Sequence, residues 1–222
     1  MSSWCSPTRT FVQITAGEEF ACGLRADGSA LCWGADSAHE STPPAGKLIQ
    51  ISAGGLQACG LRTDGTAICW GDNEYGQATP AAGRFTQISA GWNHACGLRS
   101  DGSVACWGDN IDGQSTPPVG PFTQISAGEQ HTCGLHPDGS VSCWGFGGYE
   151  QAVPPAGTFT QISAGWSYTC GLRTDGSVAC WGYMLATPSG TFAQISAGWD
   201  HACGLRADGS VACWGGLVLP EL

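Results

Sequence analysis

Twelve of the thirteen cysteines form six pairs, each ten positions apart across an Asp-Gly: Cys22/Cys32, Cys59/Cys69, Cys96/Cys106, Cys133/Cys143, Cys170/Cys180 and Cys203/Cys213. Thiols at one fixed spacing support three chemistries. A pair can oxidise to a disulfide, stay reduced and pack as small hydrophobes, or join other donors around zinc. In "HACGLRSDGSVACWG", Ser100, Asp101 and Gly102 make a three-residue connection with Gly last, as in a type I turn followed by a left-handed Gly bulge. That turn sets Leu98 opposite Val104 and Cys96 opposite Cys106. The cysteines then share a non-hydrogen-bonded site, with Cα atoms about 4.5 Å apart, at the short end of what a disulfide accepts. This geometry favours six disulfides, one per hairpin, and hence an oxidising compartment.

A structural zinc site wants four converging ligands, and each hairpin offers two. His94, His131 and His201 lie two residues before a Cys on its strand face. They are the remaining zinc candidates, with packing or capping near the strand start as their other role. Cys5 is left over, as a free thiol or a link to another molecule. The recurring Asp27, Asp64, Asp101, Asp138, Asp175 and Asp208 serve turns. No Ser-His-Asp arrangement, phosphate loop or carboxylate pair stands out. No enzyme activity, cofactor or metal centre is therefore expected.

These hairpins belong to a repeat. "QITAG" at Gln13 recurs as "QISAG" at Gln50, Gln87, Gln124, Gln161 and Gln194, so residues 1–222 read as one domain of six units. Each unit contains a short "FTQIS"-like strand and a hairpin, followed by a Pro-containing connector; no window shows a capped helical period. One face of the hairpin carries Cys96, Leu98, Val104 and Cys106. On the other, Trp107 lies opposite Ala95 and diagonal to Gly97. Both faces are apolar, so each sheet must be sandwiched between neighbours. The expected fold is all-β: a closed six-bladed β-propeller of short antiparallel blades. The terminal "LVLPEL" is expected beside the first strands, closing the ring.

The formal charge is −10 with only eight Lys plus Arg, which argues against a phosphate-tracking surface and so against nucleic acid. No run approaches the roughly 18 apolar residues of a membrane span, and no signal peptide is present in this form. The paired cysteines place the protein outside the cell or on its surface.

The stretch "CGLRSDGSVACWGDNIDGQSTPP" resembles repeats of the regulator-of-chromosome-condensation family of propellers. In its short blades and "WGDN…GQ" connectors it is similar to the secreted bacterial β-lactamase-inhibitory propeller type, which has seven blades where six units are counted here. The cysteine pairs depart from that type and resemble extracellular members such as plant receptor ectodomains. Guanine-nucleotide exchange and chromatin binding, known for the founding member, do not suit an acidic chain with disulfides. "GWNH", "GWSY" and "GWDH" resemble, over a few residues, the Gly-Trp motifs of the plant UV-B photoreceptor.

The units differ in two places, after Ala-Gly and after Cys-Trp-Gly. Strand order puts both segments at one end of each blade and the constant Asp-Gly turns at the other. The variable face holds Trp92, Trp166, Trp199, Tyr168, Tyr75, Tyr149, Tyr183, Met184 and Leu185, with Glu18 and Glu129. Aromatic residues among scattered charges are what protein interfaces enrich. The expected function is binding of a protein partner through this face, enzyme inhibition being one form of it. The alternatives are a lectin with Trp92, Trp166 and Trp199 stacking carbohydrate in several similar pockets, and a structural or self-assembling extracellular protein. A monomer is expected, or self-association through Cys5 or the apolar loop patch.

Overall fold

The computed structural model describes residues 10–183 and 187–216. Cys5, Met184, Leu185 and the "LVLPEL" tail lie outside the described residues. Six three-stranded antiparallel sheets follow one another along the chain, each in the order first, middle, last strand. Blade 1 comprises Gln13–Ala16, Phe20–Leu24 and Ala30–Gly34; blade 2, Leu48–Ala53, Gln57–Arg62 and Ala67–Gly71; blade 3, Gln87–Ala90, His94–Leu98 and Val104–Gly108. Blade 4 comprises Gln124–Ala127, His131–Leu135 and Val141–Gly145; blade 5, Phe159–Ala164, Tyr168–Arg173 and Val178–Gly182; blade 6, Gln194–Ala197, His201–Leu205 and Val211–Gly215.

The hairpin register is the one the turn dictates. Cys96 pairs with Cys106, Leu98 with Val104 and Ala95 with Trp107. The expected disulfides are all present: Cys22–Cys32, Cys59–Cys69, Cys96–Cys106, Cys133–Cys143, Cys170–Cys180 and Cys203–Cys213, each with Cα atoms 4.0 Å apart. The two ends of each bridge are not equivalent, although the spacing treats them alike. Cys22, Cys59, Cys96, Cys133 and Cys170, on middle strands, are fully buried. Their partners Cys32, Cys69, Cys106, Cys143 and Cys180 are only half-buried. The last strand is the edge of its sheet, so its cysteine lacks the flanking strand that covers the middle one.

Gly102 takes the left-handed bulge at φ 83°, where a side chain would be strained, and Asp101 Oδ1 accepts the Ser103 N–H and hydroxyl. Those hydrogen bonds hold the Asp101 carboxyl below its ordinary range. The Arg before the turn is structural: Arg99, Arg173 and Arg206 lie over Phe85, Phe159 and Phe192, and His136 stacks on Phe122 in their place.

Blades pack by one asymmetric rule. The Cys and Leu face of one hairpin meets the Phe, Ile, Ala and Trp face of the next, as where Cys59 and Leu61 join Phe85, Ile88, Ala95 and Trp107. Three polar links accompany each contact. The first-strand Gln clasps the next Ile backbone through both amide atoms, as Gln87 does with Ile125. The hydroxyl two residues on accepts the next Ala N–H, as Ser89 does from Ala127. The Gly of the turn accepts the N–H of the next Phe or Leu, as Gly102 does from Phe122. Buried donors and acceptors are thereby satisfied between sheets as well as within them.

Each link occurs five times among the described residues, joining blades 1 to 6 in series. Among those residues, blade 6 and blade 1 are not joined. Ile14 is 71% exposed, whereas Ile51 in the next blade is 1% exposed. Val211 is 63% exposed against 4% for Val178. The blades are those expected, but the described residues do not close the ring. Identical repeat sequence specifies the two faces of a blade; it does not specify how many blades complete a turn.

Candidate functional site at the channel mouth

The first strands of all six blades line a central cavity of about 820 Å³. Its wall is made of small side chains: Ser52, Ala53, Ser89, Ala90, Ser163 and Ala164 among others. The Ala-Gly step after each strand brings neighbouring backbones together; a Cβ on Gly91 would sit 2.4 Å from the Gly128 carbonyl oxygen. The loops that follow crown one end of the channel. The connectors start there too, because Asp109 N–H donates to Asn93 O and Phe146 N–H to Gln130 O.

Three of the crowning loops present tryptophan, and the structure gathers those rings into one cluster. Trp92 meets Trp199 edge-on at 5.0 Å between centroids, and Trp166 lies 5.2 Å from Trp199. Both separations suit favourable aromatic pairs. Glu129 lies in the same cavity wall. Burial pushes its carboxyl up, and the Trp166 indole N–H partly offsets this without completing a hydrogen bond: that N–H is buried and unpartnered. Glu18 also lines the cavity and is exposed. The mouth therefore offers an indole platform beside carboxylates.

Tyr168 does not belong to this surface. It is 2% exposed, and its hydroxyl reaches into blade 6, 3.2 Å from Gly198 O and 2.5 Å from His201 O. Of each variable triplet, the first residue faces the channel mouth; in blades 1 to 5 the third starts the middle strand and is buried in the blade interface. His94 and His131 occupy that third position. Their Nε2 atoms lie 2.7 Å from the hydroxyls of Thr132 and Thr169 in the next blade. Burial lowers them to about 3 and about 4 respectively, with His131 adding to the effect on His94. They pack and bridge blades. Among the described residues no three His, Cys, Asp or Glu side chains form a metal-holding group.

The exposed tyrosines lie further out on the connectors. Tyr149 sits 5.4 Å from Tyr183 and 5.7 Å from Phe146, which makes a second aromatic cluster that includes a Phe the sequence reading passed over. Tyr75 stands on the blade 2 connector, exposed. The connectors are held from below by buried Gln77, Gln114 and Gln151, whose backbone carbonyls accept the Trp107, Trp144 and Trp181 indole N–H groups. The connector Gln, preceded by Gly in two connectors and by Glu150 in the third, thus fixes the loops that carry the surface aromatics. Glu40 takes that place in the first connector, its carboxylate accepting the Ala38 N–H.

These sheets around a channel define a β-propeller. The model of the regulator of chromosome condensation (RCC1) repeat matches residues 11–39, 48–77, 85–114, 122–151, 159–184 and 192–216, so the chain belongs to that family. It is similar to the ectodomain of the Physcomitrella patens receptor kinase CR4, with 32% identity and a TM-score of 0.83 over 95% of this chain and 64% of that one. The chain thus spans just under two thirds of that ectodomain. The ectodomain of the Arabidopsis thaliana receptor kinase ACR4 matches at 31% identity and a TM-score of 0.79, over 92% of this chain and 79% of that one. Prp20p from Saccharomyces cerevisiae shares the fold at 16% identity and a TM-score of 0.78, over 91% of this chain and 71% of that one. No curated protein matches the sequence significantly.

Proposed function

We propose that the protein is a secreted or cell-surface binding protein that engages a protein partner through the face crowned by Trp92, Trp166 and Trp199. The carrying observation is the indole cluster over the channel. Large aromatics at the centre of a surface, ringed by polar loops, are the usual anchors of an interface. Tyr149, Tyr183 and Phe146 extend the same face toward the rim; Tyr75 lies apart from them.

Six disulfides and the likeness to two receptor-kinase ectodomains support an extracellular setting. Prp20p, related by fold alone, has been studied with Gsp1p and histones, so propellers of this type do hold proteins. One cluster of indoles favours a single asymmetric partner over several equivalent sugar pockets. Pull-down from the native environment, followed by Trp92→Ala, Trp166→Ala and Trp199→Ala, tests this. Each substitution is expected to cost about 2 kcal/mol of affinity and leave the fold intact. Full binding by all three variants, or competition by free monosaccharide, would contradict it.

A further inference from the structure

The six loops that crown the channel put Glu18, Gly55, Trp92, Glu129, Trp166 and Trp199 at its mouth, in blade order. Gly55 leaves space for its neighbour, since a Cβ there would lie 3.1 Å from Cδ2 of the Trp92 indole. Trp92 and Trp199, from blades 3 and 6, meet over the opening, and Trp199 is 45% exposed. Glu129 stands in blade 4, between the loops that bear Trp92 and Trp166. Charge is divided along the channel axis. Among the described residues, every Lys and Arg stands at the turn end: an Arg precedes five of the six Asp-Gly turns, Lys47 lies beside Gly28 and Arg84 donates to Asp64 O. With the six turn aspartates, that end is close to neutral. The mouth end holds the other described carboxylates and no described Lys or Arg, so the formal charge of −10 is carried there. Among the described residues, only His201 pairs with any of those carboxylates, at Asp200.

We propose, building on the binding role set out above, that the partner presents an arginine-rich basic segment and that one of its guanidinium groups enters the mouth between the indole cluster and Glu129. A guanidinium stacks on indole faces, is less strongly hydrated than an ammonium and donates in a fork to a carboxylate. The mouth supplies both partners, indole and carboxylate, in the lining of one cavity. Burial raises the Glu129 carboxyl, and an opposing cation relieves that cost. Glu18, Glu19, Glu74, Asp112 and Glu150 lie on the loops and connectors of blades 1 to 4, all exposed. Unopposed carboxylates so placed draw in a basic segment and turn away an acidic one. A neutral sugar gains nothing from that field, and a nucleic acid is repelled by it. A small cation such as choline would use the indoles and leave the outer carboxylates unmatched.

The probe is a short Gly-Ser peptide with arginine at every third position, titrated calorimetrically into the chain beside versions in which citrulline, lysine or glutamate replaces each arginine. Citrulline keeps the shape of arginine and removes its charge. Saturable one-to-one binding of the arginine peptide is expected, weakening as salt rises. The citrulline peptide should bind about tenfold more weakly or worse, the lysine peptide should fall between, and the glutamate peptide should not bind. Trp199→Ala and Glu129→Gln should each weaken the arginine peptide about tenfold. Glu74→Gln with Asp112→Asn removes more charge, but from the outer connectors, and should cost only about threefold. All these variants should melt as the unsubstituted chain does, Glu129→Gln being isosteric. Equal binding of the arginine and citrulline peptides, or no binding of either, would overturn the inference. So would losses that track the amount of charge removed rather than its position, or stronger competition by choline or a monosaccharide than by arginine amide. Any of these leaves the wider binding role to the pull-down with the three Trp variants, which does not depend on the peptide.

Discussion

The interface between blades 2 and 3 and the seam between blades 6 and 1 are lined by the same residue types at the same repeat positions, yet they behave as core and surface. Ile88 is buried against Cys59 and Leu61; Ile14, at the same place in "QITA", lies open. Between blades 3 and 4, His94 is buried and bridges to Thr132, whereas the His201 imidazole is exposed and, among the described residues, meets Asp200 at 3.2 Å. Tertiary context alone makes the difference. In a repeat protein each unit contacts only its neighbours, so a residue's energetic worth depends on whether a neighbour is present.

The largest expected effect contrasts equivalent isoleucines. Ile88→Ala should lower unfolding free energy by about 2–4 kcal/mol, the cost of emptying a packed site, and Ile14→Ala by less than about 0.5 kcal/mol. Denaturant melts of the two variants measure this, and equal losses would break the comparison.

Acid sharpens it next. His94 and His131 have folded values below their ordinary 6.5, so protons prefer the unfolded chain. Their contribution is fully present above about pH 6.5 and is lost as pH falls toward about 3 and about 4. Each pH unit inside those windows costs about 1.4 kcal/mol per imidazole. His94→Gln with His131→Gln should flatten melting temperature against pH between 6.5 and 4. Glutamine already serves at Gln57, where it donates to Gly91 O.

The disulfides follow. In blades 1 to 5 the bridge runs from a fully buried cysteine to a half-buried one, as from Cys96 to Cys106 or Cys133 to Cys143. In blade 6 both ends are more accessible: Cys203 is half-buried and Cys213 exposed. Under graded reductant with mass-spectrometric mapping, Cys203–Cys213 should open first, ahead of Cys22–Cys32, Cys59–Cys69 and Cys170–Cys180. Removing Cys96–Cys106 by double Ala substitution should cost at most about 2–3 kcal/mol, and more than removing Cys203–Cys213.

The smallest effect concerns the clasps. Gln124→Ala deletes hydrogen bonds to Ile162 and should cost about 1 kcal/mol; Gln194→Ala should cost nothing measurable in the isolated chain.

Much of this was legible in the sequence because it is local. The three-residue Asp-Gly turn dictates the hairpin register, and the register dictates which cysteines face each other. It does not dictate their unequal burial, which depends on what flanks each strand. Period-two alternation and two apolar faces dictate sandwiched blades. Tyr168 reads as part of "WSY", a loop, whereas it starts a strand and occupies the interface position of His94. The convergence of Trp92, Trp166 and Trp199, from three different blades, depends on the diameter of the ring, which no single repeat encodes. That Ile14 is exposed among the described residues was hidden for the same reason, since "QITA" and "QISA" look alike whether or not a neighbour clasps them.

Native-state hydrogen exchange by NMR, at the amides of the first strands, tests the central claim most directly. Ile51, Ile88, Ile125, Ile162 and Ile195 donate to a Gln oxygen of the preceding blade at 2.8–3.0 Å, and their amides should exchange slowly. The Ile14 amide, without such a Gln among the described residues, should exchange faster by orders of magnitude, as should that of Ala16. Protection of Ile14 and Ala16 equal to that of their counterparts would mean that the seam is covered in the isolated chain, and would contradict the account.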